Sequence, residues 1–384
     1  GSVVRRVAWV DPFFDSGRLA RFCNVPCNTK VDLLVGPKFF NHPLLEPVKE
    51  AVEPARAHLV SNAHPLPTST DPSKLGFTSL GACKAIYDAA TGALIGSEGV
   101  ACIRGHVTQV ERRGTHWAAT VMLTTVVDPA TSSSGICSES AGDVSGLSSG
   151  TAGVSVVTAP HVVFATGSEP RCSVIGDRVM CAEDAFEAEA LRSRLKAGDA
   201  VAVLGNSHSA AVVLSVLCQL APALGLRTVN FARHSARLAE WLPDLSTYRY
   251  TSTGLKGYGA VVGAECMLAE SQQDWLELRP YHEFTSDGWD AIIDCTGYAA
   301  TALPQVRTEA AVVELRQRDE ASGRLGLAEG LPDLWAVGAP WGEPPGRLWG
   351  AGLEEAEGFK SESSFIGFHL FFDRAKLIAA ETDK

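Results

Sequence analysis

Residues 201–210 read Val-Ala-Val-Leu-Gly-Asn-Ser-His-Ser-Ala, and this stretch carries the strongest local signal in the sequence. Its apolar half predicts a buried strand, Ala200–Leu204, and the residues that follow predict an apolar helix, Ala210–Gln219. A strand that turns tightly into a helix aims free backbone N–H groups and the positive helix end at a pyrophosphate. We therefore predict an α/β protein with a dinucleotide-binding loop at Gly205–Ala210. The alternative is an ordinary strand–helix turn.

The loop departs from the GxGxxG pattern of dinucleotide sites at one glycine position. Gly205 permits the tight turn, and Ala210 occupies the third position, where glycine or alanine is accepted. Ser207 replaces the second glycine, and its hydroxyl can still donate to a phosphate. The other candidate cofactor-binding residues of the loop are Asn206, His208 and Ser209.

The next strand, Arg227–Phe231, indicates which dinucleotide binds. NAD enzymes usually carry an acidic residue about 20 residues beyond the loop, where it binds the ribose hydroxyls. Residues 229–234 read Val-Asn-Phe-Ala-Arg-His and contain no acid. Arg233 can form a forked contact with a 2′-phosphate, and His234 can add a donor. NADPH is therefore favoured over NADH, and the alternative is that Arg233 is a solvated surface residue.

Two further apolar segments end in Thr-Gly: residues 162–167, Val-Val-Phe-Ala-Thr-Gly, and residues 291–298, Ala-Ile-Ile-Asp-Cys-Thr-Gly-Tyr. Each places a hydroxyl and a glycine at the carboxyl end of a strand, where open α/β sheets bind ligands. One such segment is weak evidence for a ligand site. Two of them, one before and one after the predicted loop, are much stronger evidence because they form an ordered pattern with it. The candidate cofactor-binding residues here are Ala165, Thr166, Gly167, Thr296 and Gly297.

This order resembles that of flavoproteins with two dinucleotide-binding domains, which include flavin-containing monooxygenases, N-hydroxylating monooxygenases and pyridine nucleotide-disulfide reductases. Their ATG hinge is matched at Ala165–Gly167 and their nicotinamide loop at Gly205–Ala210. A second hinge, D-x-x-T-G-Y, is matched in part by Asp294–Tyr298, which is one residue shorter. A final P-x-L-apolar-x-x-G strand that touches the flavin is matched at Pro332–Gly338, so Gly338 joins the candidates.

The resemblance implies an α/β fold in which a Rossmann-like FAD-binding domain is interrupted by a smaller Rossmann-like NAD(P)-binding domain. The FAD-binding domain would comprise residues 1–195 and 300–384, with a flexible Ser- and Gly-rich insertion at 128–153. The inserted NAD(P)-binding domain would comprise residues 196–299. FAD and NADPH are the cofactors that this arrangement implies.

A narrower resemblance extends over the first part of the chain. Residues 9–12, 17–19, 25–30 and 253–257 are similar to an uncharacterised FAD/NAD(P)-binding oxidoreductase-like group from eukaryotic microbes. Asp11 falls where an acid binds the ribose of the FAD adenosine. Arg18, in the matched segment 17–19, is a further candidate cofactor-binding residue. Lys30 lies in the segment that faces the flavin in relatives and is a candidate flavin or substrate contact, although the reading as an exposed surface lysine is favoured over it.

The resemblance predicts that NADPH reduces FAD at N5 and that the reduced flavin then reduces a small-molecule substrate or activates oxygen. The redox dithiol of the disulfide reductases is missing, because Cys23 and Cys27 are separated by three residues and no CxxC occurs. Monooxygenase-like chemistry is therefore favoured. The alternative is a non-catalytic or degenerate nucleotide-binding protein, which the serine at position 207 would suit.

The composition of the chain disfavours some classes of binding partner. The net charge of −11 disfavours nucleic acid and anionic membranes as default partners. No apolar run approaches the roughly 20 residues that span a bilayer. The ten cysteines are scattered and show no zinc-ligand spacing, which predicts no metal and the reduced thiols of a cytoplasmic protein.

One part of the flavoprotein pattern has no match. These proteins open with a strand and a GxGxxG loop that holds the FAD pyrophosphate, whereas Val3–Val10 reads as a strand ending in Asp11, which is the second-strand position. We therefore expect the first strand, loop and helix, on the order of 30 residues in this fold, to be absent. The alternative is that Val3–Asp11 is an unrelated strand.

We expect the 384-residue chain to purify largely free of FAD and to aggregate, because it offers no loop for the pyrophosphate. A longer chain with a strand–GxGxxG–helix segment ahead of Gly1 is expected to retain FAD and to oxidise NADPH. Flavin content per chain, measured on both forms, decides the matter. Stoichiometric FAD in the shorter form would show that Val3–Asp11 is not the second strand.

Overall fold

The computed structural model describes residues 6–15, 17, 21–22, 25–26, 46–61, 64–65, 75–124, 148–149, 153–236, 238, 255, 257–267, 273–313, 315, 317–319, 324–325 and 333–336. Numbered in chain order, the helices are α1 (Glu46–Ser61), α2 (Leu80–Ile95), α3 (Ala188–Arg194), α4 (His208–Leu224) and α5 (Gly257–Val262). Short 3-10 helices cover Ala182–Ala185 and Tyr281–Glu283, and Gly263–Met267 forms a π-helical turn. None of these helices has both the length and the apolar character required to cross a bilayer.

The strands, also in chain order, are β1 (Val7–Asp11), β2 (His64–Pro65), β3 (Leu75–Phe77), β4 (Val100–Arg113), β5 (His116–Leu123), β6 (Ser148–Ser149), β7 (Val154–Ala159), β8 (Val162–Phe164), β9 (Ser168–Pro170), β10 (Val179–Cys181), β11 (Ala200–Leu204), β12 (Arg227–Ala232), β13 (Leu276–Pro280), β14 (Ala291–Asp294), β15 (Tyr298–Ala300), β16 (Gln305–Arg307), β17 (Val312–Val313), β18 (Gln317–Asp319), β19 (Arg324–Leu325) and β20 (Leu334–Ala336).

A five-stranded parallel sheet, which we call the nucleotide sheet, has the order β10-β14-β11-β12-β13. Its middle strands are buried on both faces, which explains their nearly continuous apolar sequence. Val201, Val203 and Ile293 pack on one face against α4 and its neighbours. On the opposite face, Leu204 and Phe231 pack in a second cluster with other aromatic residues.

The antiparallel strands β4, β5 and β7 form the middle of a second sheet. β1 pairs in parallel with the start of β4, and β16 pairs in parallel with a later part of the same strand. A third sheet contains the parallel pair β8–β20. These two sheets share one core, in which Val110 and Trp117 of the second sheet pack with Phe164 and Leu334 of the third. Separately, α1 and α2 pack through Val52, Leu59 and Ile86.

A short antiparallel pair, β9–β15, joins the segments that follow the two Thr-Gly motifs, and we call this pair the crossing ribbon. Its strands pair Tyr298 with Pro170 and Ala300 with Ser168. The ribbon lies where the chain passes between the third sheet and the nucleotide sheet, because β9 follows β8 and β15 follows β14. The two motifs that bracket the loop in sequence therefore lead into one shared structure.

Helix α4 begins earlier and ends later than the sequence predicted. Ser207 is its N-cap, so the helix begins at His208 rather than at Ala210. Gly225 ends it in a left-handed conformation with φ of 61°, which glycine adopts without strain. Pro222 lies in the last turn, beyond the predicted end at Gln219. The interpretation of residues 128–153 as a flexible insertion falls mostly outside the described residues.

Candidate dinucleotide-binding site

The turn after β11 brings two backbones into direct contact. Gly205 has φ of +104°, and a Cβ built there would lie 2.6 Å from the carbonyl oxygen of Cys295. The Cys295 amide donates to the Leu204 carbonyl at 2.9 Å, which joins the carboxyl ends of β11 and β14. Glycine is therefore required here both by the backbone conformation and by the lack of room for a side chain.

The N-terminus of α4 lies directly after the turn, at the position of the predicted loop. Ser207 is exposed, and its side chain makes no capping hydrogen bond. The first N–H groups of any α-helix lack intrahelical partners, and the helix dipole adds positive potential at that end. The predicted loop residue Ala210 is fully buried, in the core cluster between α4 and the nucleotide sheet. Ser209 lies one residue before it, in the first turn of the helix.

His208 occupies the first helical position, and its ring packs on α5. A Cβ built on Gly259 would lie 2.8 Å from His208 Cδ2, so a side chain there would displace the imidazole ring from this position. The ring therefore has a packing function at the loop. This position suits a side chain that shapes the loop better than one that reacts.

The loop is also joined to the end of the neighbouring strand β12. The Asn206 side-chain amide donates to the carbonyl oxygen of His234. Arg233 is exposed, and its guanidinium lies 5.5 Å from the centroid of the Tyr281 ring. Arg233 and Tyr281 follow the adjacent strands β12 and β13, so the site has a cation and an aromatic face beside the loop.

Asn230 is a positioning residue that the sequence reading missed. It is buried within β12, and its amide donates to the carbonyls of Val203 at 3.0 Å and Gly205 at 2.7 Å. These bonds satisfy carbonyls where the β11 ladder ends and thereby hold the turn. The only sequence signal was a polar residue between apolar neighbours in a strand.

The first Thr-Gly motif contains a buried polar atom without a hydrogen-bond partner. Among the described residues, nothing bonds to Thr166 Oγ1, although the atom is buried. Gly167 accepts a bond from Thr301 N at 3.2 Å, and Gly297 accepts one from Arg171 N at 2.9 Å. Both predicted glycines thus contribute carbonyl bonds at the crossing ribbon, while the Thr166 hydroxyl has no hydrogen-bond partner among the described residues. Ala165 beside it is exposed.

The carboxylate of Asp294, at the end of β14, bonds to segments on both sides of it. Oδ1 accepts from Thr296 N at 2.9 Å and from Thr296 Oγ1 at 2.6 Å. Oδ2 accepts from Ser173 N, from Ser173 Oγ at 2.7 Å and from Val174 N at 3.3 Å. Burial alone would raise the pKa of Asp294, but the hydrogen bonds from Thr296 and Ser173 outweigh it and hold the pKa below its usual value. The group is therefore an anion at neutral pH.

Cysteine thiols near the site are poor nucleophiles. Complete burial raises the pKa of the Cys295 thiol well above its usual value, with the nearby Asp294 charge adding to the effect. Burial also raises the pKa of Cys181. Both thiols therefore remain protonated at neutral pH, which does not suit thiol–disulfide chemistry. Cys23 and Cys27 lie outside the described residues.

Asp11 lies at the carboxyl end of β1, where the sequence placed it. Its Oδ1 accepts from Phe13 N at 2.7 Å and from Phe14 N at 2.8 Å, so this oxygen shapes the turn after the strand. No described contact joins Asp11 to the residues of the nucleotide sheet. The predicted flavin contacts Arg18, Lys30 and Gly338 lie outside the described residues.

Comparison with known proteins gives a fold but no family. No protein-family model matches the chain, and no curated protein matches it. The reduced form of ornithine hydroxylase from Pseudomonas aeruginosa is similar, with a TM-score of 0.56 and 13% identity over 98% of this chain and 91% of that chain. This likeness confirms the α/β fold class and the fold resemblance to monooxygenases that the motif order predicted.

Two other solved structures are more distant in shape. The ornithine N-hydroxylase of Kutzneria sp. 744 has a TM-score of 0.46 at 14% identity, over 84% of this chain and 82% of that chain. The cadaverine monooxygenase of Erwinia amylovora, solved with FAD bound, also has a TM-score of 0.46, at 11% identity over 77% of this chain and 73% of that chain.

Gly205→Ala is expected to abolish dinucleotide binding, because the added methyl group would displace the Cys295 carbonyl and with it the loop. Gly198→Ala is the matched control, since Gly198 also has a positive φ, of +81°, but nothing lies within 4 Å of its Cβ position. The control therefore measures backbone strain alone, about 1 kcal/mol of stability. Calorimetric titration with NADPH and thermal unfolding separate the two effects; equal dinucleotide affinity in both variants would contradict the packing argument.

Proposed function

We propose that this chain is an oxidoreductase that binds FAD and NADPH and transfers a hydride from NADPH to the flavin, with monooxygenase-like chemistry on a small-molecule substrate. The observation that carries the proposal is the Gly205–Ala210 loop with Arg233 beside it, in a fold shared with a hydroxylase. The missing dithiol and the protonated thiols favour oxygen chemistry over thiol–disulfide exchange.

The residues of the nucleotide sheet fit NADPH. The pyrophosphate would bind at the N-terminus of α4, where the close backbone approach of Gly205 leaves the first N–H groups accessible. Ser207 Oγ would add a donor, since its side chain does not cap the helix. Arg233 would hold the 2′-phosphate, with Tyr281 as an aromatic surface under the guanidinium.

The residues after β8 and β1 fit FAD at two points. Thr166 Oγ1 is a buried hydroxyl that lacks a described partner, and such a group costs free energy unless a ligand or water satisfies it. Asp11 would bind the adenosine ribose through the carboxylate oxygen that does not shape its turn. Arg18, Lys30 and Gly338 complete the proposed flavin contacts.

When bound, FAD would supply the redox chemistry, namely hydride uptake and electron transfer to oxygen or a substrate. The protein's own contribution is to bind and to orient. The α4 N-terminus and Arg233 would fix the two ends of NADPH, Thr166 would donate to the flavin, and the crossing ribbon would set the distance between the two sites. The buried neutral thiol of Cys295 adds no competing reactive group.

We also propose that residues 196–299 form the inserted NADPH-binding domain, with 1–195 and 300–384 as the FAD-binding domain. The nucleotide sheet supports this division, since four of its five strands fall within 196–299. The fifth strand, β10, lies ahead of residue 196, so the strand at the edge of this sheet comes from the chain before the boundary. A soluble fragment covering 179–299 that binds NADPH alone would support the division.

Thr166→Val is expected to weaken FAD binding about tenfold, because valine keeps the shape and removes the donor; loss of one hydrogen bond to a ligand is worth about 0.5–1.5 kcal/mol. The protein without flavin should be as stable as before or more stable, since no existing bond is lost. Thr228→Val is the matched control, because Thr228 Oγ1 is also buried without a described partner but lies inside β12. Fluorescence titration with FAD distinguishes them, and the same FAD affinity in both variants would remove Thr166 from the flavin site.

Arg233→Ala is expected to weaken NADPH binding by about 1.5–3 kcal/mol, because it removes a charge-assisted contact with the 2′-phosphate. NADH binding should change little. The matched control is Arg227→Ala at the opposite end of β12, where the guanidinium lies 5.6 Å from the centroid of the Trp289 ring. Dissociation constants for both dinucleotides settle the assignment, and equal losses for NADPH and NADH in Arg233→Ala would refute it.

The overall proposal is tested by adding FAD to the purified chain and following flavin absorbance and NADPH oxidation under air and under nitrogen. We expect bound flavin to be reduced by NADPH and reoxidised by oxygen. Dinucleotide binding without any flavin reduction would instead support the non-catalytic reading, to which the serine at position 207 points.

A further inference from the structure

The Asp294 carboxylate forms a clasp between the two points at which the chain enters and leaves the nucleotide sheet. Ser173 and Val174 lie just ahead of β10, and Thr296 lies just after β14. Oδ2 accepts the hydrogen bonds from the segment ahead of β10, and Oδ1 accepts those from the segment after β14. All five hydrogen bonds come from N–H or O–H donors. One side chain therefore holds both crossings through separate oxygens.

The clasp is continuous with the dinucleotide loop. Asp294 pairs in register with Leu204 on one side and with Cys181 on the other. The next residue, Cys295, carries the carbonyl on which Gly205 packs, and its amide bonds to Leu204. A shift of residues 294–296 would therefore move the surface against which the phosphate loop rests.

The clasp is also continuous with the crossing ribbon. The carbonyl of Gly297, the residue after Thr296 of the clasp, accepts a hydrogen bond from Arg171 N at 2.9 Å. At the other end of the ribbon, the Gly167 carbonyl accepts a hydrogen bond from Thr301 N at 3.2 Å. Ribbon and clasp together form an unbroken series of cross-links between the two crossings, from Gly167 to Asp294. The side chain of Asp294 is 1% exposed, so water does not compete for its oxygens.

We propose that Asp294 is a positioning residue, whose carboxylate makes the two crossings move as one unit and so fixes the loop at Gly205–Ala210 relative to the flavin site. The clasp itself rests on these contacts, and its effect on hydride transfer rests on the proposed function. A carboxylate is required because an asparagine has one accepting oxygen and one donating NH₂ group. In Asp294→Asn, the NH₂ group would face donors in one of the two segments, and that side of the clasp would open.

If Asp294 acts by positioning, its substitution should slow hydride transfer and leave nucleotide affinity nearly unchanged. The adenosine half of NADPH would contact Arg233 and Tyr281, which the clasp does not touch. In Asp294→Asn, the affinity for 2′-AMP, which lacks the 5′-phosphate, should therefore stay within about twofold of that of the wild-type protein, while flavin reduction at saturating NADPH should slow about tenfold, the effect of roughly one charge-assisted bond. A residue that served stability alone would lower the folded fraction and leave the rate per folded, flavin-loaded molecule unchanged.

Hydrogen–deuterium exchange on the full chain tests the clasp directly. In Asp294→Asn, peptides covering 168–175 and 295–301 should exchange about tenfold faster, while those from β11 and β12 keep their protection. Asp290→Asn is the matched control, because Asp290 lies just before the same strand, is exposed and accepts one bond from Ala200 N at 2.9 Å. It should leave both segments and the flavin reduction rate unchanged.

Ser173→Ala provides a second variant if Asp294→Asn does not yield folded protein, because it removes one donor and keeps the carboxylate. Ser173→Ala should likewise slow flavin reduction without a loss of nucleotide affinity, but by a smaller factor. The variant that combines Asp294→Asn and Ser173→Ala should slow it by less than the sum of the two single effects. The clasp would be overturned if Asp294→Asn and Ser173→Ala had the same rates of hydrogen–deuterium exchange and of flavin reduction as Asp290→Asn. If the unchanged protein shows no flavin reduction at all, the proposed function fails, and the exchange data still decide whether the clasp exists.

Discussion

In the turn at Gly205, the backbone of this glycine packs directly against the carbonyl of Cys295. The arrangement of the site depends on this contact. The contact requires that β11 and β14 lie side by side, which in turn places the second Thr-Gly motif next to the phosphate loop. The first turn of α4 follows directly after this contact, with Ser207 exposed as the N-cap. A side chain at position 205 would separate these elements, so one missing Cβ sets the spacing of the whole edge of the sheet.

Two buried polar side chains maintain that edge. Parallel strands end with backbone groups that the sheet no longer pairs, and each such group must find a partner if it is buried. Asn230 supplies donors to two carbonyls at the end of β11. Asp294 supplies acceptors to Thr296, which follows β14, and to the segment ahead of β10. An amide and a carboxylate are thus matched to the kind of backbone group that each strand end exposes. Burial of both groups is tolerated because the bonds compensate for lost hydration.

The sequence identified the elements whose signal is local. The loop at Gly205–Ala210 follows from an apolar run, a glycine and a helix, and the structure has that order. The contacts that assemble the site are not local. Pairing of β9 with β15 joins segments far apart in the chain, and the bond from Asn206 to His234 crosses from one strand end to the next.

For the same reason, the sequence did not show which atoms Asn230 and Asp294 bind, although Asp294 begins the second hinge motif. A polar residue in a short strand reads as an interruption of the apolar pattern, and only the neighbouring strands show which atoms it serves. Arg233 had a sequence signal, since its distance from the loop follows a known spacing in dinucleotide sites, and its role stays a prediction. Its contact with Tyr281 depends on β13, which no local pattern placed beside β12.

The strand order of the nucleotide sheet also dictates when its parts can assemble. β11, α4 and β12 are consecutive and make their contacts early, whereas β14 must return from much later in the chain to pair with β11. β10 is synthesised before all of them, yet it pairs only with β14 and so waits for the last strand of the set. Contacts between distant segments slow folding, and unpaired strands are exposed to other chains in the meantime. During synthesis on the ribosome, the earliest strand of this sheet is thus the one that stays without its partner the longest.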